Sequence, residues 1–226
     1  MKLTNQQIAL IDETLVLNGV TYDDIKLEVT DHIASEIEFI MEENTLSFEE
    51  NLKMVFKKWE SQLKPTTYGL WLGYAYTGPK MVMDKMVDLT KSELKWGLSL
   101  AFFSTLIIWL IYKTDNNASI LLVFGMLLRT LLFIVAVTII YFRVTLSKSK
   151  AKTIYSTLFN RRFYITLLFS IQIFSTIFRA VPLNKSIESK VLMLVFPFLF
   201  ILFSINSLRI LYNHYKIEEK LSISNS

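Results

Sequence analysis

The 226-residue chain contains no cysteine. That excludes a disulfide framework, a thiolate zinc site and a cysteine nucleophile, and it leaves the redox compartment open. Histidine is nearly as scarce, with only His32 and His214. None of G-x-x-x-x-G-K-[ST], H-E-x-x-H, G-x-S-x-G or G-x-G-x-x-G occurs, so no familiar nucleotide, zincin or hydrolase site is written here. The amino terminus, MKLTNQQIALIDETL, has one lysine and then an amphipathic pattern, without an apolar core of signal-peptide type. No catalytic residue, metal or cofactor is predicted, and the reading leans away from an enzyme.

Charge is divided unevenly along the chain. Residues 1–60 hold 13 acids against 5 bases, whereas residues 61–226 hold 7 acids against 19 bases. The basic residues of the second part flank apolar runs, a pattern that points to a membrane surface and not to nucleic acid.

Those runs are long. Hydrophobic residues make up 52% of the chain and its mean hydropathy is +0.40. Trp96–Tyr112, Ala118–Phe142, Phe163–Val181 and Val191–Tyr212 approach or exceed the roughly 20 apolar residues that a hydrocarbon core requires. Trp96, Tyr112, Tyr141, Tyr164 and Tyr212 fall at their ends, where amphipathic rings favour an interface. The connection between the second and third runs carries Arg143, Lys148, Lys150, Lys152, Arg161 and Arg162 with no acid. Positive loops face the cytoplasm, which predicts a multi-pass inner-membrane protein with both termini inside. Anionic lipid is the partner this lipid-facing loop suggests. N-x-S triplets at Asn117 and Asn184 fall in the expected outer loops.

Polar groups inside the runs are candidate sites, because a charge in a bilayer costs at least about 2.5–3.5 kcal/mol. Arg129 is central in the second run, Gln172 lies at similar depth in the third, and Asn206 lies in the fourth. Arg129 would contact an anionic substrate or lipid, or be satisfied within the bundle by Gln172, hydroxyls and carbonyls. Pro197 is placed to kink the fourth run.

The front of the chain reads as three helices. Thr4 caps the first, whose apolar positions include Ile8, Ile11, Leu15 and Val16, and Gly19 ends it. Thr21 with Asp24 opens the second, which runs to about Glu43 with a stripe of Tyr22, Ile25, Val29, Ile33, Ile37 and Ile40. Ser47 with Glu50 forms a capping box for the third, which buries Phe48, Leu52, Val55, Phe56 and Trp59. On the second helix Glu28, His32 and Glu36 follow one another at i, i+4 spacing beside the stripe. A metal or proton-handling site is one reading of them. The simpler one is a polar edge that doubles as a docking surface.

The stretch YDDIKLEVTDHIASEIEFIMEENTLSFEENLKMVFKKW resembles the helical HAAS, or permease-prefix, domains. Their usual form is an acidic helix with histidine, a short turn and a Ser-capped helix rich in Glu and Ala. The resemblance covers about residues 5–60 and departs at Asn51–Leu52, where Ala is common, and at Trp59–Glu60, where the family often ends in Gly. It implies a bacterial membrane-anchored signalling or regulatory protein.

The fold expected is thus all-α, a small cytoplasmic helical bundle followed by a four-helix transmembrane bundle. The segments are an acidic head at 1–63, an interfacial linker and lead-in helix at 64–94, the spans at 95–214 and a tail at 215–226. The expected function is interaction or regulation, with a small transporter or permease subunit as the alternative. The acidic head would meet a basic protein partner or fold back on the basic loop, and a homo-oligomer is a further expectation.

Overall fold

The computed structural model describes residues 2–73, 76–115, 118–177 and 187–224. They form helices α1 (Asn5–Leu17), α2 (Asp23–Glu43) and α3 (Phe48–Leu63), then strand β1 (Pro65–Thr67), a single turn α4 (Gly69–Leu72) and strand β2 (Thr77–Pro79). Four longer helices follow: α5 (Lys80–Asp115), α6 (Ala118–Leu146), α7 (Ile154–Ile177) and α8 (Ile187–Ser224). The chain divides into two compact units. The first comprises Met1–Thr90 with Lys150–Ile154, and the second Lys91–Ser149 with Tyr155–Ser226.

In the first unit the caps act largely as the sequence suggests. Thr4 and Gln7 close a capping box on α1, and Ser47 and Glu50 close one on α3. Gly19 stands at φ +86°, a left-handed conformation that other residues adopt only with strain, and it ends α1. The start of α2 differs from expectation. Its N-cap is Tyr22, which makes no side-chain capping bond, so Thr21 and Asp24 do not close a box. Ile25, Val29, Ile33 and Ile37 are buried along α2, and Ile11, Leu15, Phe48 and Val55 meet them from α1 and α3. Each such side chain contributes about 1.5–3 kcal/mol on burial, more than any single surface ion pair. Ile8 and Val16, by contrast, are exposed.

Asn51, one of the departures from the permease-prefix pattern, is fully buried. Its Nδ2 donates to the carbonyls of Leu46 and Ser47, and its side chain exchanges bonds with that of Asn44. It ties the α2–α3 turn to α3, a task that alanine cannot perform. Asn51→Ala is expected to cost about 1–3 kcal/mol, since it removes the side-chain bonds to Leu46, Ser47 and Asn44 at a buried position. Chemical denaturation measures this, and an unchanged midpoint would refute the role.

The segment after α3 is more ordered than its Gly, Pro and aromatic content suggests. Strands β1 and β2 pair antiparallel, with Pro65 opposite Pro79 and Thr67 opposite Thr77. The prolines sit at the ladder end, where a missing N–H is tolerated. From this ribbon α5 begins, with Val82, Met83, Met86 and Val87 buried.

The expectation of four transmembrane spans is corrected. Among the described residues no helix is long and apolar enough to cross a membrane. The multi-pass arrangement, the inner-membrane location, the cytoplasmic placement of both termini and the transporter alternative fall with it. The apolar runs are portions of longer helices that also carry charge. The first is the distal part of α5, whose proximal part holds Asp84, Lys85, Asp88, Lys91, Glu93 and Lys95. The third shares α7 with Arg161 and Arg162, and the fourth shares α8 with Arg209, His214 and Glu218. Nor is the second unit's interior purely apolar. Arg162, Thr166, Ser204, Ser207 and His214 are buried there beside Leu132, Val135, Ile139, Ile201 and Leu211. The mostly helical character expected from the sequence stands.

Candidate functional site

The most developed polar site lies at the amino end of α2, where the chain segment 150–154 is held. Asp23 grips Lys152 by both backbone groups. The Asp23 N–H donates to the Lys152 carbonyl at 2.8 Å, and the Lys152 N–H donates to Asp23 Oδ2 at 2.7 Å. The Ile154 N–H then donates to Asp24, 3.1 Å from Oδ1 and 3.3 Å from Oδ2. The two held amides are two residues apart, and because Ile154 is the first residue of α7, Asp24 also satisfies an N–H at the start of that helix. Side chains complete the grip. Lys152 Nζ reaches Thr21 Oγ1 at 3.1 Å and stands 5.2 Å from the centre of the Tyr22 ring, while Thr153 and Ile154 are wholly buried.

The electrostatics suit a basic segment. Asp23 and Asp24 stand in the first turn of α2, where unpaired N–H groups make the helix end positive and acids are favoured. Asp23 is also paired with Lys26, which reaches Asp12 as well. Asp24 is 8% exposed. Burial pushes its carboxyl above the usual aspartate range, and the bond from Ile154 N–H and the charge of Lys85 oppose that rise.

Sequence reasoning offers a fold-back of the acidic head on the basic loop as one alternative but misses the residues that pair. Two acids in a first helical turn are commonplace, so YDD reads as ordinary helix chemistry, and Lys152 lies 129 residues from Asp23. The available signal was the complementarity of an acidic head and a basic loop, which suggests contact but not its address.

Glu28, His32 and Glu36 are turned to different neighbours. Glu28 pairs with Lys85 of α5, Glu36 pairs with Lys58 and accepts from Trp59 Nε1 of α3, and His32 is exposed. Burial raises the Glu36 carboxyl, but the bonds from Lys58 and Trp59 with the Lys58 charge bring it below the usual range. Among the described residues no group of three or more His, Asp or Glu is arranged to hold a metal.

The expected basic loop is dispersed. Lys148, Lys150 and Lys152 are exposed, Arg161 is half-buried, and Arg143 lies 5.7 Å from the Phe163 ring centre. Arg162 departs from the lipid-facing role, being buried in an ion pair with Glu93 and lying 5.5 Å from the centre of the Phe203 ring. Its placement follows from the pairing, since a buried guanidinium needs a carboxylate. Asn206 joins them by bonding the Glu93 carboxyl, which burial raises and which Arg162, Asn206 and Arg209 draw back down. Arg129 and Gln172 belong to α6 and α7, with side chains outside the described ones. Asn117, Asn184 and the Pro197 side chain likewise lie outside what is described.

A second polar knot in the second unit joins Ser149 to α8. Ser149 Oγ donates to Glu218 at 2.6 Å and lies 3.1 Å from Nε2 of the buried His214. Burial lowers the His214 pKa, against the charge of Glu218. On acidification the unfolded chain therefore takes up this proton before the native one does, and stability falls as pH drops below the ordinary histidine value. Unfolding titrations between about pH 8 and pH 5 should show this slope flattened in His214→Gln. An unaltered slope would contradict it.

No family model, curated protein or solved structure matches this chain.

Proposed function

We propose that this chain is a regulatory interaction protein whose first unit acts as a clamp on residues 150–154, the end of the α6–α7 connection and the first residue of α7. The observation that supports this most directly is the paired hold of Asp23 on Lys152 and Asp24 on Ile154, which uses backbone groups far apart in sequence. A contact built from two carboxylates and a helix end is polar enough to open without exposing a large apolar core, as an interaction switch requires. The acidic surface of α2 and the resemblance to permease-prefix domains favour the same class. Phe102, Leu127 and Phe133 of the second unit are exposed apolar side chains, available for self-association. The expected anionic-lipid contact belongs instead to the basic residues, of which Lys148, Lys150 and Lys152 are exposed.

Limited trypsin digestion tests the clamp. Wild-type protein should resist cleavage after Lys152 although that side chain is exposed, because a protease needs the backbone free. The double variant Asp23→Ala/Asp24→Ala should be cut there at least about tenfold faster, in line with loss of about 1.4 kcal/mol or more of closure. Equal rates would sink the proposal.

A further inference from the structure

We infer that the amino end of α2 is a recognition site for a basic segment of another protein, and that residues 150–154 occupy it as a built-in competitor. This deepens the clamp reading and rests on it. The bound segment shows what the site accepts. Two backbone amides at positions i and i+2 meet Asp23 and Asp24, and one backbone carbonyl meets the Asp23 N–H. At the first position a lysine spans Thr21 and the Tyr22 ring. A small hydroxyl residue and then a β-branched aliphatic residue are enclosed without exposure. Most of the polar contacts go to main chain, so the site reads backbone groups and selects side chains at three positions. Such division of labour is general in peptide recognition, where backbone bonds give affinity and pockets for side chains give specificity.

The occupant favoured is therefore a lysine-small-aliphatic stretch of a partner protein. Tethering sets the competition. A segment carried on the same chain acts at an effective concentration on the order of millimolar, so a free peptide scarcely enters until the built-in segment is displaced. A partner gains access when something else draws the 150–154 segment away.

The test uses the full chain and a fluorescent SKAKTIY peptide, the sequence of residues 149–155. Ile154→Asp places a charge in the enclosed aliphatic position and should release the built-in segment while leaving α2 intact. This variant should bind the peptide at least about tenfold more tightly than wild type does, given that competition. Adding Asp23→Ala and Asp24→Ala should abolish binding, and a peptide with glutamate for both lysines should fail. No binding by a variant that is helical by circular dichroism, with its 150–154 amides exchanging freely, overturns the inference while leaving the clamp standing. If Ile154→Asp does not fold, wild type is titrated with the peptide to several times the effective concentration, about 5 mM or more. Exchange at the Ile154 amide must then rise at least about twofold, and unchanged exchange overturns the inference. Concentration-dependent dimerisation of the released variant without peptide identifies a second copy as the occupant and also overturns it. Free exchange of wild-type Lys152 and Ile154, by contrast, would sink the clamp itself.

Discussion

Asp24→Ala is expected to lower the unfolding free energy by about 1–3 kcal/mol, because the buried Ile154 N–H loses its described acceptors. Asp24→Asn should cost less, since its amide oxygen still accepts. The two variants also separate on pH. Asp24 has a raised carboxyl in the fold, so the native chain binds this proton more readily than the unfolded one. That contribution is fully present below the ordinary aspartate value and is lost as pH rises through the raised one. Over that window wild type should lose stability relative to Asp24→Asn. Denaturant unfolding across the acid range measures both effects, and a parallel course for wild type and Asp24→Asn would show that Asp24 is not held as described.

The larger effect is expected at the ion pair of the second unit. Glu93 and Arg162 are each about one-tenth exposed on their side chains. Removing one partner leaves the other charge buried, at a cost of about 3–5 kcal/mol. Arg162→Met should therefore be severe, and Glu93→Leu should be of similar size. The double variant should recover much of the loss, because a well-packed apolar pair can match or exceed a buried ion pair. Asn206 and Arg209 soften the Glu93→Leu result less than the Arg162→Met result, since both act on the carboxylate. A double-mutant cycle reads the coupling directly. Simple additivity would mean that the two side chains do not depend on one another.

Much of the first unit is visible in its residues. The Ile25–Val29–Ile33–Ile37 stripe, the Ser47–Glu50 box and Gly19 are local signals, and each is decided within one helix or one turn of chain. What escapes such a reading is long-range. Asp24 looks like a helix opener, yet its carboxylate serves Ile154. Arg162 looks like a loop charge, yet Glu93 draws it inside. The β1–β2 ribbon is hidden because its strands are three residues each and bracketed by prolines. The membrane reading failed for a related reason: counting apolar letters in a window registers neither the charged remainder of each helix nor the polar groups buried between helices. Asn206 is conspicuous for its polarity within an apolar run, but its partner Glu93 stands outside every such run.

Amide hydrogen exchange at Lys152 and Ile154 in the unmodified full-length chain is the most direct test of the account. Both amides donate to carboxylates at the head of α2, so both should be protected by at least about a hundredfold over an unstructured chain, the equivalent of about 2.7 kcal/mol of opening. Exchange of both at the unstructured rate, in a protein whose α2 core amides remain protected, would contradict the clamp.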